Sequence, residues 1–214
     1  MKIYDKLPQH LEDGTANPDW LSLRAGKFTG SDFHQYMGLA KKDELSDTAE
    51  SNLYKKVLES LGYSFKSYRS SAMEDGNENE PLARADYIAE TFNDVHEVGF
   101  VDWEQLRAGC SPDGVMYGTD GQIEKILEIK CPDIKNYLKM AKGKIPPVYM
   151  TQMQYNMLIT GAKSCDFVVW HPDMRLSVQE IKADANYQKD IITVLEKLNA
   201  RYDAILEEIQ EFRK

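Results

Sequence analysis

Asp113 and Glu128 lie fifteen positions apart, in the segments Ser111-Pro112-Asp113-Gly114 and Glu128-Ile129-Lys130. Two carboxylates and a lysine on strand-like sequence are the groups that metal-assisted hydrolysis of a phosphodiester needs. Such a diester is anionic and repels hydroxide, so the phosphate must be screened, a nucleophile supplied near neutral pH and the leaving oxygen stabilised. Magnesium does all three when carboxylates hold one side of it and its other octahedral positions go to water and substrate oxygens. Asp113 and Glu128 suit that hard cation. Lys130 adds a compact charge with several donors, able to orient the attacking water or to offset charge developing on the phosphate.

The surrounding residues predict how these groups are carried. Gly118, Thr119, Asp120 and Gly121 break the β-favouring run Val115 to Tyr117 from a second run, Ile126 to Cys131, so a hairpin is expected, ended by Pro132. Alternation along the second strand puts Glu128 and Lys130 on one face, for chemistry, and Leu127, Ile129 and Cys131 on the other, for core. In a chain with 29% charged residues a Glu-x-Lys triplet also arises by chance, and a charge pair on a strand is commonly a solvated face. The upstream Pro-Asp-Gly at hairpin distance weighs for a site.

Downstream, Pro146 and Pro147 start a helix that Gly161 stops. Met150, Met153 and Met157 recur at core spacing, while Tyr149, Gln152 and Asn156 form a second stripe able to face a groove. A helix is expected over Ser46 to Leu61, another beginning near Glu80 with Pro81 in its first turn, and strands over Cys165 to Trp170 and Leu176 to Ile181. A long helix, about 184–213, carries Ile191, Val194, Leu195, Leu198, Tyr202, Ile205, Ile209 and Phe212 on one stripe.

Composition narrows the classes. With 214 residues and 42% hydrophobic content, the chain can bury a sizeable core as a single domain over 1–214. No apolar stretch has membrane-spanning length and the amino terminus has no signal-peptide pattern. Cys110, Cys131 and Cys165 make an odd count without paired metal spacing, so a reducing cytoplasm is expected, the host's if the gene is a phage's. Three cysteines are too few for the usual four-ligand iron–sulfur cluster, and the four scattered histidines form no zinc pattern. A net charge of -9 disfavours nucleic acid, yet Lys125, Lys130, Lys135, Lys139, Lys142 and Lys144 can make a local positive surface; the bland alternative is a solvated helix face.

Five ordered blocks resemble the lambda-exonuclease-like viral recombinases, the YqaJ family of the PD-(D/E)XK nuclease superfamily. They are WLSLRAGKFTGS (Trp20 to Ser31), GNENEPLAR (Gly76 to Arg84), CSPDG (Cys110 to Gly114), LEIKCP (Leu127 to Pro132) and YMTQMQY (Tyr149 to Tyr155). The resemblance implies an α/β fold with a central mixed sheet flanked by helices. It makes Asp113, Glu128 and the Ile129 carbonyl metal ligands, Lys130 the water-activating lysine, Glu80 a further carboxylate that reaches the metal site from a helix, and Gln152 the glutamine near the nucleophilic water. Without it, Glu80 reads as one more exposed acid in the run Glu74, Asp75, Glu78, and Gln152 as a polar helix residue.

The same resemblance assigns Arg24, Ser31 and Ser111 to a 5′-terminal phosphate. A guanidinium grips phosphate through paired donors, and hydroxyls or amides at a helix start add neutral ones. By themselves, Arg24 reads as a surface residue and Thr29 or Ser31 as a helix cap. The activity implied is a magnesium-dependent 5′→3′ exonuclease, with two ions and with manganese as a substitute. It acts on double-stranded DNA ends, releases mononucleotides and leaves 3′ single strands for recombination. A homotrimeric ring and a single-strand annealing protein are implied partners. The alternatives are a structure-selective or sequence-specific endonuclease on the same core, or a non-catalytic DNA-binding recombination module.

Overall fold

The computed structural model describes residues 1–11, 14–65 and 71–213, the side chains of 71–78 excepted. In chain order the elements are β1 (Lys2–Tyr4), α1 (Pro18–Arg24), β2 (Phe28–Thr29), α2 (Gly30–Phe33), α3 (Asp47–Ser60), α4 (Ser71–Thr91), β3 (Phe100–Trp103), β4 (Ala108–Cys110), β5 (Gly114–Tyr117), β6 (Ile123–Lys130), α5 (Ile134–Met140), α6 (Pro147–Thr160), β7 (Ser164–Val169), β8 (Ser177–Lys182) and α7 (Ala185–Phe212).

The mixed sheet that carries the motif has the order β5-β6-β7-β8, antiparallel at both edges and parallel between β6 and β7. The expected hairpin forms, with Gly114 opposite Leu127 and a left-handed Gly121 in the turn. A second mixed sheet, β1-β3-β4-β2, stands beside it. Its strands are too short for a period-2 pattern to announce them, β2 being two residues long.

Both faces of β6 are packed, which corrects the division into one chemical and one apolar face. Ile126 joins a large core with Phe167, with Tyr155 and Met157 of α6, and with Leu195, Leu198 and Tyr202 of α7. Leu127 and Ile129 join a smaller core with Ala83 and Tyr87 of α4, Val168 and Trp170. Glu128 therefore lies at 0% exposure, under α6 rather than on an open surface.

The helices over Asp47–Ser60, Pro147–Thr160 and Ala185–Phe212 match their sequence signals: Ser46 and Asp184 cap α3 and α7 through their side chains, and Gly161 ends α6 at φ 76°. One boundary differs. α4 starts at Ser71, so Pro81 stands inside it rather than in its first turn. A proline there removes one helix hydrogen bond, but Ala83 and Tyr87 are fully buried against β6, and this packing holds the helix through the proline. No helix among the described residues is long and apolar enough to cross a membrane.

Candidate active site

A cavity of about 910 Å³ opens where β4, β6, α1, α2, α4 and α6 converge, and eight of the nine residues singled out by sequence line it: Arg24, Ser31, Glu80, Ser111, Asp113, Ile129, Lys130 and Gln152. The ninth, Glu128, lies behind this wall with no exposed surface.

The hairpin locks the first acid. The Asp113 N–H donates to the Leu127 carbonyl at 3.1 Å, and Asp113 Oδ2 accepts from the Ile129 N–H at 2.6 Å. β6 thus holds the Asp113 backbone through Leu127 and one carboxylate oxygen through Ile129, while the other oxygen makes no hydrogen bond among the described residues. Lys130 Nζ donates to Glu128 Oε1 at 2.5 Å and stands 5.2 Å from the centre of the Tyr149 ring. Asn156 Nδ2 donates to Glu128 Oε2 at 3.2 Å.

Glu80 approaches from α4, braced by Arg84. Arg84 Nη2 donates to Glu80 Oε1 at 2.6 Å, its Nε donates to the Asp113 carbonyl at 2.8 Å, and its Nη1 lies 3.0 Å from Glu97 Oε1. Glu80 is thereby a held, half-buried acid and not a member of a solvated run; the side chains of Glu74, Asp75 and Glu78 lie outside the described residues. Sequence reasoning missed Arg84 although it ends one of the quoted blocks, because a Glu80–Arg84 pair at helical spacing looks like ordinary surface charge.

Burial and crowding set the electrostatics. Glu80 is pushed up to about 8, first by burial and next by Asp113, while Arg84 pulls the other way. Burial likewise pushes Glu128 up to about 7 against the pull of Lys130, and it raises Asp113. Burial lowers the Lys130 pKa, but Glu128 and Asp113 outweigh it and the net shift is upward, so the lysine stays charged.

At another part of the cavity Arg24 stacks on Trp20, with its Cζ 4.2 Å from the ring centre, and has one long 3.5 Å contact to Thr29 Oγ1. Its pKa is lowered by burial, and no carboxylate forms an ion pair with it among the described residues. Ser111 Oγ donates to the Gly99 carbonyl at 2.7 Å, which leaves the hydroxyl oxygen as an acceptor. Ser31 is exposed at the start of α2, and the capping position belongs to Thr29, whose hydroxyl turns to Asp32 instead of the helix amides.

The positive surface expected from Lys125 to Lys144 is divided. Lys125 is bound to Asp166 at 3.0 Å and lies 3.2 Å from Glu180, and Lys130 belongs to Glu128. Lys135, Lys139, Lys142 and Lys144 are exposed on and just after α5, whose preceding residue Asp133 and first-turn Asn136 line the cavity.

Residues 19–163 match the model of the YqaJ-like viral recombinase domain. The chain belongs to this family. The alkaline exonuclease LHK-Exo from Laribacter hongkongensis is 28% identical over 92% of this chain and 98% of its own, with a TM-score of 0.77. LHK-Exo in complex with dAMP superposes with a TM-score of 0.78 at the same identity and coverage. A phage-related exonuclease from Haemophilus somnus 129PT, 19% identical over 86% of this chain and 96% of its own, shares the fold at a TM-score of 0.66. No curated protein matches the sequence. The enzyme class expected from the sequence, a nuclease that hydrolyses phosphodiester bonds in DNA, stands on the family membership and on these exonuclease neighbours.

Nucleases of the YqaJ type generally use divalent metal ions, and the donor set of this chain fits one. Asp113, Glu128 and the Ile129 carbonyl offer oxygens of the kind a hard cation takes. Desolvation raises the pKa values of Asp113, Glu128 and Glu80, and Asp113 raises the latter two further, so a cation placed among them would offset the cost of their charges. Among the described residues no three acidic, histidine or cysteine side chains close into a complete cage. Two acids and a carbonyl would leave a bound ion free to take water and substrate oxygens, as hydrolysis requires.

Proposed function

We propose that this protein is a magnesium-dependent 5′→3′ exonuclease that recognises the 5′-phosphate of a double-stranded DNA end and leaves a 3′ single strand for recombination by strand annealing. The observation that carries the reading is the sharing of one cavity by a stacked guanidinium without an ion pair among the described residues and the Asp113–Lys130 wall. A desolvated cation with no acidic partner is costly to keep, and a terminal phosphate is the anion that compensates it, through bidentate contacts from Arg24 and hydroxyls from Ser31 and Ser111. The dAMP bound by LHK-Exo is a product-sized nucleotide and supports release of mononucleotides.

When bound, magnesium screens the scissile phosphate and makes a hydroxide-like nucleophile available near neutral pH. Asp113, Glu128 and the Ile129 carbonyl would hold it, and Glu80, steadied by Arg84, would add negative charge to that site. Lys130, anchored by one N–H on Glu128, directs its other donors to the attacking water or a phosphate oxygen. Gln152 faces the same cavity and supplies an amide for that water. The proposal extends to two metal ions, to manganese as a substitute, to one nuclease domain over 1–214 acting in the cytoplasm, to a homotrimeric ring and to a single-strand annealing protein as partner. Sedimentation at 24.5 kDa alone would remove the ring.

The test compares linear duplexes bearing a 5′-phosphate or a 5′-hydroxyl with a closed circle, in magnesium. The expected order is fast, slow and uncut; cutting of the circle would favour an endonuclease, and retention without cutting a binding module. Arg24→Ala is expected to erase the preference for the phosphorylated end, a loss of roughly 10–100-fold on that substrate, with the hydroxyl end little changed. An unchanged ratio would remove Arg24 from the phosphate pocket. The exposed lysines at α5 supply the duplex contact: replacing Lys135, Lys139 and Lys142 together with serine is expected to flatten the salt dependence of DNA binding by about 2–3 in log–log slope. An unaltered slope would mean that this face is merely solvated.

A further inference from the structure

The polar stripe of α6 holds a group that the proposed mechanism does not use. Asn156 is 2% exposed and donates from Nδ2 to Glu128 Oε2, while its Oδ1 is buried without a partner among the described residues. That oxygen occupies the space left by the missing side chain of Gly30: a Cβ on Gly30 would stand 2.3 Å from Asn156 Oδ1 and 3.2 Å from Tyr155 Cδ1. Gly30 has no positive φ, so the backbone does not require glycine there; the room for Asn156 does.

We propose that Asn156, seated against Gly30, is a positioning residue that fixes the orientation of the Glu128 carboxylate for metal binding. The inference rests on the metal-dependent reading above. Glu128 has two oxygens and two protein donors, Lys130 on Oε1 and Asn156 on Oε2, so its plane is set by both. Loss of the amide frees rotation about the last side-chain bond, and a metal ion then has to order the carboxylate itself. The opposite amide orientation would set Oδ1 against the carboxylate and repel it, so the unpartnered oxygen is the cost of presenting the donor. Gly30 also precedes Ser31 in the segment that lines the cavity, so this contact ties the end-binding segment to the metal-binding acid.

The measurement is manganese binding to the full chain without DNA, by titration calorimetry, with the metal-free melting temperature recorded beside it. Asn156→Leu keeps the branched shape and removes the donor, whereas Gly30→Ala keeps the donor and takes away its seat. Each is expected to weaken manganese binding by about 10–100-fold. Asn156→Gln together with Gly30 unchanged, which keeps an amide donor, is expected to recover part of the loss. If Asn156→Leu fails to fold, Gly30→Ala decides alone. Native affinity in either folded variant, with the native chain itself binding manganese, would overturn the positioning role and leave the metal site standing. Absence of binding by the native chain would overturn the metal reading and this inference with it.

Discussion

Lys130→Ala is expected to lower the rate of nucleotide release from a 5′-phosphorylated duplex by about 10²–10⁴-fold while the protein still folds and still binds DNA. The lysine lies 2.5 Å from a fully buried carboxylate and on the wall of the cavity, so it acts on both. Toward the substrate it offers donors that no other described residue beside Asp113 duplicates: Arg84 is spent on Glu80, Glu97 and the Asp113 carbonyl. Toward Glu128 it lowers a pKa that burial raises, so its loss favours a protonated acid and weakens metal binding as well. The two contributions separate with pH and metal. Raising both restores an ionised, loaded Glu128 but not the missing donor, so the variant should stay slow at saturating magnesium and pH 8.5. Equal nucleotide release by native and variant proteins would remove Lys130 from the chemistry. Recovery at high pH and metal would assign it to Glu128 alone.

How far the sequence discloses this site depends on the range of the forces involved. The hairpin carrying Asp113 and Glu128 is local: turn residues, alternation and a terminal proline all act within a few positions, and β5 and β6 form as those signals predict. The caps of α3 and α7 are local too. Glu128's burial is not, because the alternation that separates Glu128 from Leu127 says nothing about whether α6 covers the other face. The start of α4 is illegible for a similar reason, since the contacts of Ala83 and Tyr87 with β6 override the stop that Pro81 suggests. Lys125 looked like part of a basic track, but parallel pairing of β6 with β7 brings it to Asp166, forty-one positions away. The same holds for the Asn156–Glu128 contact, which spans two elements. Arg24 is the instructive intermediate: its stacking on Trp20, its approach to Phe100 and its lack of an ion pair among the described residues are invisible locally, and only the resemblance points to an anion.

Metal-free protein is expected to lose thermal stability between pH 6 and pH 8, and Glu128→Gln is expected to blunt that loss. Glu128 titrates near 7 in the folded chain, against about 4.3 when exposed in the unfolded one. Between those values the folded state retains a proton that the unfolded chain has released, so stability falls as pH rises; the contribution is complete below about pH 4.3 and is lost through pH 7. Glu80, near 8, extends the same trend upward. The change assignable to Glu128 is on the order of 1–3 kcal/mol, or roughly 2–10 °C in melting temperature for a chain of this size. Other carboxylates act in the opposite sense at lower pH, Glu180 being held down to about 2 by Lys182 and Lys125, so the informative quantity is the difference between native and variant from pH 6 to 8. Glutamine stays neutral at every pH, which removes this term from the difference. It also removes a metal ligand, so magnesium or manganese should raise the melting temperature of the native chain more at pH 8 than at pH 6, and that of the variant hardly at all. Nucleotide release by the variant should fall at least about 100-fold. Parallel melting curves for the two proteins across this range, with equal gains from metal, would mean that Glu128 is neither protonated in the free enzyme nor a ligand in the loaded one.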